Sequence, residues 1–287
     1  MDKQAVDAID VAMDKTTALS TFKGDNSLRQ SSISFISFCH KIFNDDYAHI
    51  VDMEEISEES VDKLQTYLLM QEKTDQKLAE ANAAWHKAYH DFAAKNNINL
   101  IDAKSDKDAK IETANKLNKY FNALHILFFK CNWEHNQLIK ALEKKNVNDI
   151  EQCRNALIKY ANDGLIGVDT LRSFSGDASM ANTCKQCLQG YKKIGETLIP
   201  KLTDFYLKQE NFNNIKKAFE AKSPTDRKRE DVDAYNKAVK DINNDSNSYN
   251  QTNNDMNNQS SGIMDNWNNT EKTFMDNNMP YFKKGHM

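Results

Sequence analysis

A nine-residue stretch, Leu19-Ser-Thr-Phe-Lys-Gly-Asp-Asn-Ser27, returns 152 residues later as Leu171-Arg-Ser-Phe-Ser-Gly-Asp-Ala-Ser179. The chain has only eight glycines, and two of them, Gly24 and Gly176, hold the same place in the two copies, each followed at once by an acid. Glycine readily takes the left-handed conformation that closes a helix, and an Asp or Ser just beyond it offers a side-chain oxygen to the free N–H groups of the next helix. The stretch therefore reads as a helix stop joined to a helix start, and its recurrence predicts one plan built twice. Phe22, Gly24 and Asp25 mark the first of these structural turns; Phe174, Gly176 and Asp177 mark the second.

So few glycines, with three prolines and 28% charged residues, suit long solvated helices rather than sheets with many turns. Apolar residues make up 39% of the 287, enough for a sizeable core over this length. Thirty-eight basic against 42 acidic residues give a net charge of −4 with no basic block long enough to follow a phosphate backbone, which argues against nucleic acid as a partner. The longest apolar run, Ala123 to Phe129, is broken by His125 and falls far short of the roughly 20 residues of a membrane span. The first residues, Met1 to Ala5, lack the basic and apolar regions of a signal peptide, so the chain is expected to be cytoplasmic or a mature form without its leader. Five cysteines at 39, 131, 153, 184 and 187 show no disulfide-framework spacing and read as reduced core residues.

Seven segments hold the helical period. Helix A is expected over 3–23, helix B over 27–53, and helix C from a cap at Ser57 to Asn96-Asn97. Helix D, over 106–144, carries a heptad seam of Ala114, Leu117, Phe121, Leu124, Phe128, Cys131, His135, Leu138 and Leu142. Helix E follows a cap at Asn148 and runs to Phe174, and helix F starts at Ser179 and meets a break or kink at Pro200. Helix G continues a seam from Val232 through an Asn-rich tract to Phe274. Trp85 and Phe92 are echoed by Trp267 and Phe274 at an offset of 182 residues, 30 more than the offset of the turns, and Asn96-Asn97 by Asn277-Asn278 just beyond. The expected fold is therefore all-α: tandem, duplicated antiparallel long-helix bundles of about seven helices. The bundles are expected at 1–145 and 146–287, linked by helix D, with an Asn-rich helical extension near 243–260 forming a solvated protrusion.

Candidate chemistry is sparse. His86 and His90 stand four residues apart, the spacing by which two imidazoles on a helix share a metal, but no Glu lies between them and no third ligand is specified. None of the seven histidines follows a Glu by three residues, so the Glu-x-x-His pairs of a di-iron bundle are missing. Cys184 and Cys187 resemble half a zinc site or a redox pair, yet they fall on the apolar stripe with Met180 and Tyr191, as expected of core residues. His135 sits on the seam of helix D and reads as a core histidine. Trp85, Trp133 and Trp267 offer aromatic faces, two of them on packing seams. Phosphate loops, dinucleotide fingerprints and nucleophile elbows do not occur. No cofactor is expected, and the chain does not read as an enzyme.

The repeated Leu-x-x-Phe-x-Gly-Asp-x-Ser turn resembles an uncharacterised family of bacterial surface proteins, many of them lipoproteins. The segment Asn115 to Leu142, with Ile126-Leu127-Phe128-Phe129-Lys130, and the Trp-x6-Phe helices ending in Asn-Asn extend the resemblance over most of the chain. It implies a helical bundle in the cell envelope, in the periplasm or at the surface, whose lipid anchor and leader have been removed. It implies a binding or scaffolding role toward a protein or cell-surface component, and it transfers no site residues.

Overall fold

The computed structural model describes residues 3–46, 50, 57, 59–101 and 106–281. Among them every regular element is helical and no strand occurs. The helices are α1 (Lys3–Thr17), α2 (Ser27–Lys41), α3 (Val61–Lys95), α4 (Asp106–Glu143), α5 (Val147–Leu171), α6 (Ser179–Lys193), α7 (Ile199–Glu220) and α8 (Arg229–Asn278). One π turn, Ile42–Asp46, extends α2; another, Ile194–Leu198, fuses α6 to α7, so the described residues form seven helices. The chain divides into two units, Met1–Ala109 and Lys110–Met287.

Both glycine turns close the same way. Gly24 has φ 82° and Gly176 φ 92°, each preceded by a second left-handed residue, Lys23 at 50° and Ser175 at 49°. Phe22 and Asp25 exchange backbone hydrogen bonds of 2.9 Å, and Phe174 and Asp177 do so at 2.9 and 2.8 Å. This tight reversal follows α1, which stops at Thr17 rather than at residue 23, and α5, which stops at Leu171 rather than at Phe174. The ring of each turn packs edge-on against an aromatic of a distant helix: Phe22 on Phe92 at 5.8 Å and Phe174 on Phe274 at 6.2 Å.

Unit 2 is an up-down four-helix bundle built around α4. Its seam residues Leu117, Phe121, Leu124, Phe128, Cys131, His135, Leu138 and Leu142 are all buried, as the three-and-four spacing requires. Phe128 stacks on Trp267 at 3.9 Å, while the Cys184 thiol meets the Leu124 carbonyl and the Tyr191 hydroxyl meets Asn132. The order of these pairs makes α4 antiparallel to α8 and parallel to α6. Fully burying side chains of this size contributes about 1.5–3 kcal/mol each, so α4 belongs to this unit energetically. The boundary accordingly falls at the start of α4, not near residue 145 as periodicity alone led us to expect.

In unit 1, α2 runs antiparallel to both α1 and α3. The indole of Trp85 stacks between Phe35 (6.0 Å) and Tyr89 (5.7 Å), and its N–H donates to Ser32 at 2.9 Å. The start of α3 is capped by Ser60, whose hydroxyl accepts from the Lys63 N–H, not by Ser57. The expected end of helix B, near Met53, lies outside the described residues. Asp75 and Asn82 of α3 are exposed while the neighbouring Thr74 is buried, which spares the Asp75 carboxylate its desolvation.

Three further expectations are corrected. Asn146, not Asn148, caps α5, its side chain accepting from the Asn148 and Asp149 N–H groups. Pro200 does not break helix F: it follows the π turn at the start of α7. The matching π turn at Ile42–Asp46 has Ala48 where the proline would stand, so proline is not its cause. The Asn-rich tract is helical, but only its first half, up to Gln251, lies in the protrusion. Thr252 and Met256 are buried, and the hydroxyls of Ser246, Thr252 and Ser260 donate to carbonyls four residues earlier, satisfying themselves within the helix.

The extra length lies instead in the hairpin of α7 and α8. Helix α8 has 50 residues against 35 in α3, so half of the 30-residue excess lengthens α8 and the rest precedes it. No residue of α7 beyond Tyr206 and none of α8 before Thr252 is buried. The arms pair through Lys208 with Asp245 at 2.9 Å, Phe219 on Tyr235 at 4.4 Å and Lys222 with Asp231 at 2.7 Å. Arg227 closes the tip over the Phe219 ring.

A Cβ at Gly24 or Gly176 would meet nothing within 4 Å, so the cost of substitution is conformational alone. Gly24→Val and Gly176→Val should each lose on the order of 1–3 kcal/mol in urea unfolding, and Gly→Asn at the same positions distinctly less. Gly262, exposed within α8 and also with open space at Cβ, should behave oppositely. Gly262→Ala should raise stability by roughly 0.5–1 kcal/mol, measured in the same way.

Candidate functional site

A cleft of ≈300 Å³ opens on unit 2 where α4, α6 and α8 meet, lined among others by Asn132, His135, Tyr191, Ser260, Ser261 and Asp265. Its inner wall is polar but uncharged. His135 Nε2 lies 3.0 Å from Ser260 Oγ, and that hydroxyl lies 2.8 Å from the Met256 carbonyl. With the hydroxyl proton on the carbonyl, the imidazole is the donor and carries its proton on Nε2; with the proton on Nδ1, Nε2 accepts from the hydroxyl instead. Burial holds the His135 pKa down at about 4, so it stays neutral around pH 7. The Tyr191 hydroxyl donates to Asn132 Oδ1 at 2.9 Å, and burial pushes its ionisation far up.

The cleft can offer amide and hydroxyl hydrogen bonds, with the Asp265 carboxylate as its one formal charge among the lining residues. Next to His135 on α4, Glu134 is buried and meets Cys153 of α5, and desolvation raises the pKa values of both.

The sequence-derived metal candidates, His86 and His90, lie on the exposed face of α3. Each sits edge-on to its neighbouring aromatic, Trp85 at 5.1 Å and Tyr89 at 5.7 Å. Among the described residues no group of three His, Cys, Asp or Glu side chains is arranged to hold a metal ion. Cys184 and Cys187 are both buried and point to different carbonyls, Leu124 at 3.7 Å and Ile263 at 3.6 Å. Burial raises both thiols, that of Cys187 to about 12, which suppresses the nucleophilic thiolate. Trp267 is buried and donates to Glu271 at 3.0 Å, so it lines no open groove.

The two turns prove to be junctions of three helices. Asp25 accepts the Ser27 N–H at 2.9 Å through one oxygen, and the Asn96 amide at 3.1 Å and Lys95 at 3.0 Å through the other. Asp177 accepts the Ser179 N–H at 2.8 Å and the Asn278 amide at 2.9 Å. Asn96 and Asn278 each donate as well to the carbonyl of the phenylalanine four residues earlier. The hydrogen bonds from residues 27 and 179, ahead of the other contacts, hold both carboxylates below the usual range. The roles of Asn96 and Asn278 were missed in the sequence, although Trp-x6-Phe-x3-Asn recurs at both places and carried the signal.

No family model, no curated protein and no solved structure matches the chain. The protein is thus an all-α bundle protein of two units. Among the described residues no helix is long and apolar enough to cross a membrane.

Because the folded-state pKa of His135 lies below its ordinary 6.5, the unfolded chain takes up this proton first as pH falls. The contribution is fully present above about pH 6.5 and is lost progressively down to about pH 4, amounting to roughly 3 kcal/mol. His135→Gln keeps a donor toward Ser260 but cannot titrate. Urea unfolding at pH 7.5 and 4.5 should show a smaller drop for this variant than for the native chain.

Proposed function

We propose that the protein is a non-enzymatic helical-bundle module of the bacterial envelope, in the periplasm or at the cell surface. On this reading it carries one three-helix plan twice and holds a protein or cell-surface partner on its long helix faces. The observation that carries this reading is the α7–α8 hairpin, which continues past the last buried residues, Tyr206 and Thr252. From Leu207 to Glu220, α7 extends about 20 Å at the usual rise per residue. This length adds nothing to the core, yet ion pairs and the Phe219–Tyr235–Arg227 stack hold it in a defined shape. It presents Leu207, 53% exposed, and Val232 to solvent. A stiff, solvated projection with apolar points suits recognition better than stability. The envelope location rests on the resemblance of the repeated turn and the Trp-x6-Phe helices to bacterial surface proteins and lipoproteins.

Replacing residues 209–241 with a short turn keeps the Lys208–Asp245 pair and Ile242, which packs against the core, and removes no buried residue. The trimmed chain should unfold with an unchanged core transition but lose a partner that the full chain retains from envelope extract after crosslinking. Equal retention by both chains would refute the role of the hairpin. Recovery of the native protein from the cytoplasmic fraction would refute the location. A second reading, a metal-binding or enzymatic bundle, would place its site at the His135 cleft. Elemental analysis of untagged protein decides against its metal-binding form if no stoichiometric metal is found.

A further inference from the structure

Among the described residues, unit 1 has the three-helix arrangement of unit 2 and no counterpart of α4. In unit 2, α4 covers Met180, Ala181, Cys184, Cys187, Trp267 and Phe274, which are 0–4% exposed. The residues of unit 1 at the corresponding offsets of 152 and 182 are Leu28, Arg29, Ser32, Phe35, Trp85 and Phe92, and every one is only half-buried. Helix α2 contains no buried residue at all. Leu19 is 58% exposed and Phe22 43%, whereas their counterparts Leu171 and Phe174 pack against the unit 2 core. A cleft of ≈190 Å³ runs along this face, lined by Leu19, Phe22, Asp25, Leu28, Arg29 and Phe92 among others, with the Asp25 carboxylate already held by Lys95 and Asn96.

We infer that this face of unit 1 is a docking groove for an amphipathic helix of a partner protein, one that carries a Leu/Phe seam like that of α4 and an acidic side chain level with Arg29. The seam follows from unit 2, where the corresponding face is filled by Leu117, Phe121, Leu124 and Phe128 spaced by three and four. The acid follows from Arg29, which stands where unit 2 has Ala181. Its Nη1 donates to the Leu19 carbonyl, its Nε is buried without a hydrogen-bond partner, and it pairs with no carboxylate among the described residues. A guanidinium in a half-apolar groove gains most from a carboxylate that arrives with the covering helix. The position of that acid is set by register. Cys184 meets Leu124 and Tyr191 meets Asn132, so Ala181 is level with Phe121, and the acid belongs where α4 has Phe121.

This inference deepens the partner-holding reading by naming a surface that excludes the hairpin, so the two fail independently. The probe is a synthetic peptide of residues 113–139 carrying Phe121→Glu, labelled and titrated into the full chain, with hydrogen exchange followed along the backbone. It should bind and protect amides within residues 19–36 and 85–96. Leu19→Glu, at an exposed position that spares the fold, should weaken binding by about tenfold or more. Arg29→Glu should reverse the preference, so that a peptide with Phe121→Lys binds better than the one with Phe121→Glu. The inference is overturned by absence of binding, by equal binding to the native and Leu19→Glu chains, or by protection confined to unit 2. It is also overturned if the full chain forms a dimer that Leu19→Glu dissolves, which would assign the groove to a second copy. Unaltered peptide binding by the hairpin-trimmed chain is expected, and its loss on trimming would overturn the placement of the groove in unit 1.

Discussion

One carboxylate per unit determines which helices meet. Asp25 and Asp177 follow a left-handed glycine, and in that position a side-chain oxygen can accept the first free N–H of the next helix while the other oxygen faces outward. The outward oxygen takes the amide of Asn96 or Asn278 at the far end of the third helix. The phenylalanine before each glycine then packs on the phenylalanine one turn before each asparagine. Charge-assisted hydrogen bonds are directional, so this junction sets the register of three helices where apolar packing alone would tolerate sliding.

Around that shared junction the two units bury their faces differently. Unit 2 supplies α4, and the aromatic and aliphatic side chains of four helices interdigitate down to the Phe128–Trp267 stack. Unit 1 places more polar residues at two of the matching positions, Ser32 in place of Cys184 and Arg29 in place of Ala181, with Trp85 satisfied by Ser32. A face that was meant to be sealed internally would hardly place an unpaired guanidinium beside Phe22 and Leu28. The difference between the units therefore bears on function more than either unit's own architecture does.

The π turns make the same point about local and tertiary causes. They fall at Ile42–Asp46 and Ile194–Leu198, again 152 residues apart, with Pro200 after only one of them. In unit 2 the turn inserts Ile194, Gly195 and Leu198 into the core, and a Cβ on Gly195 would come within 2.8 Å of Ile158. The missing side chain at Gly195 permits this close approach of α5, whereas the matching π turn carries Phe43 at that place.

Much of this architecture was legible in the residues themselves. Helix periodicity, the two glycine turns and the unbroken seam of α4 are local or near-local properties, because the backbone fixes which residues share a face. The helical state of the Asn-rich tract was legible for the same reason: its apolar and hydroxyl residues keep the period even though asparagine disfavours helix. Other features depended on partners hundreds of atoms away in sequence. Periodicity shows that α4 has a buried side but not whose side chains bury it, so the unit boundary, the true extent of the protrusion and the neutral His135–Ser260 pair emerged only with the fold. The same holds for Asn96 and Asn278, visible as an echo at an offset of 182 but without a role until Asp25 and Asp177 stood beside them. Sequence by itself determined the helices and the places where they turn, because those follow from backbone sterics and side-chain period; tertiary structure alone decided which faces are filled and which stay open, because burial is a property of neighbours.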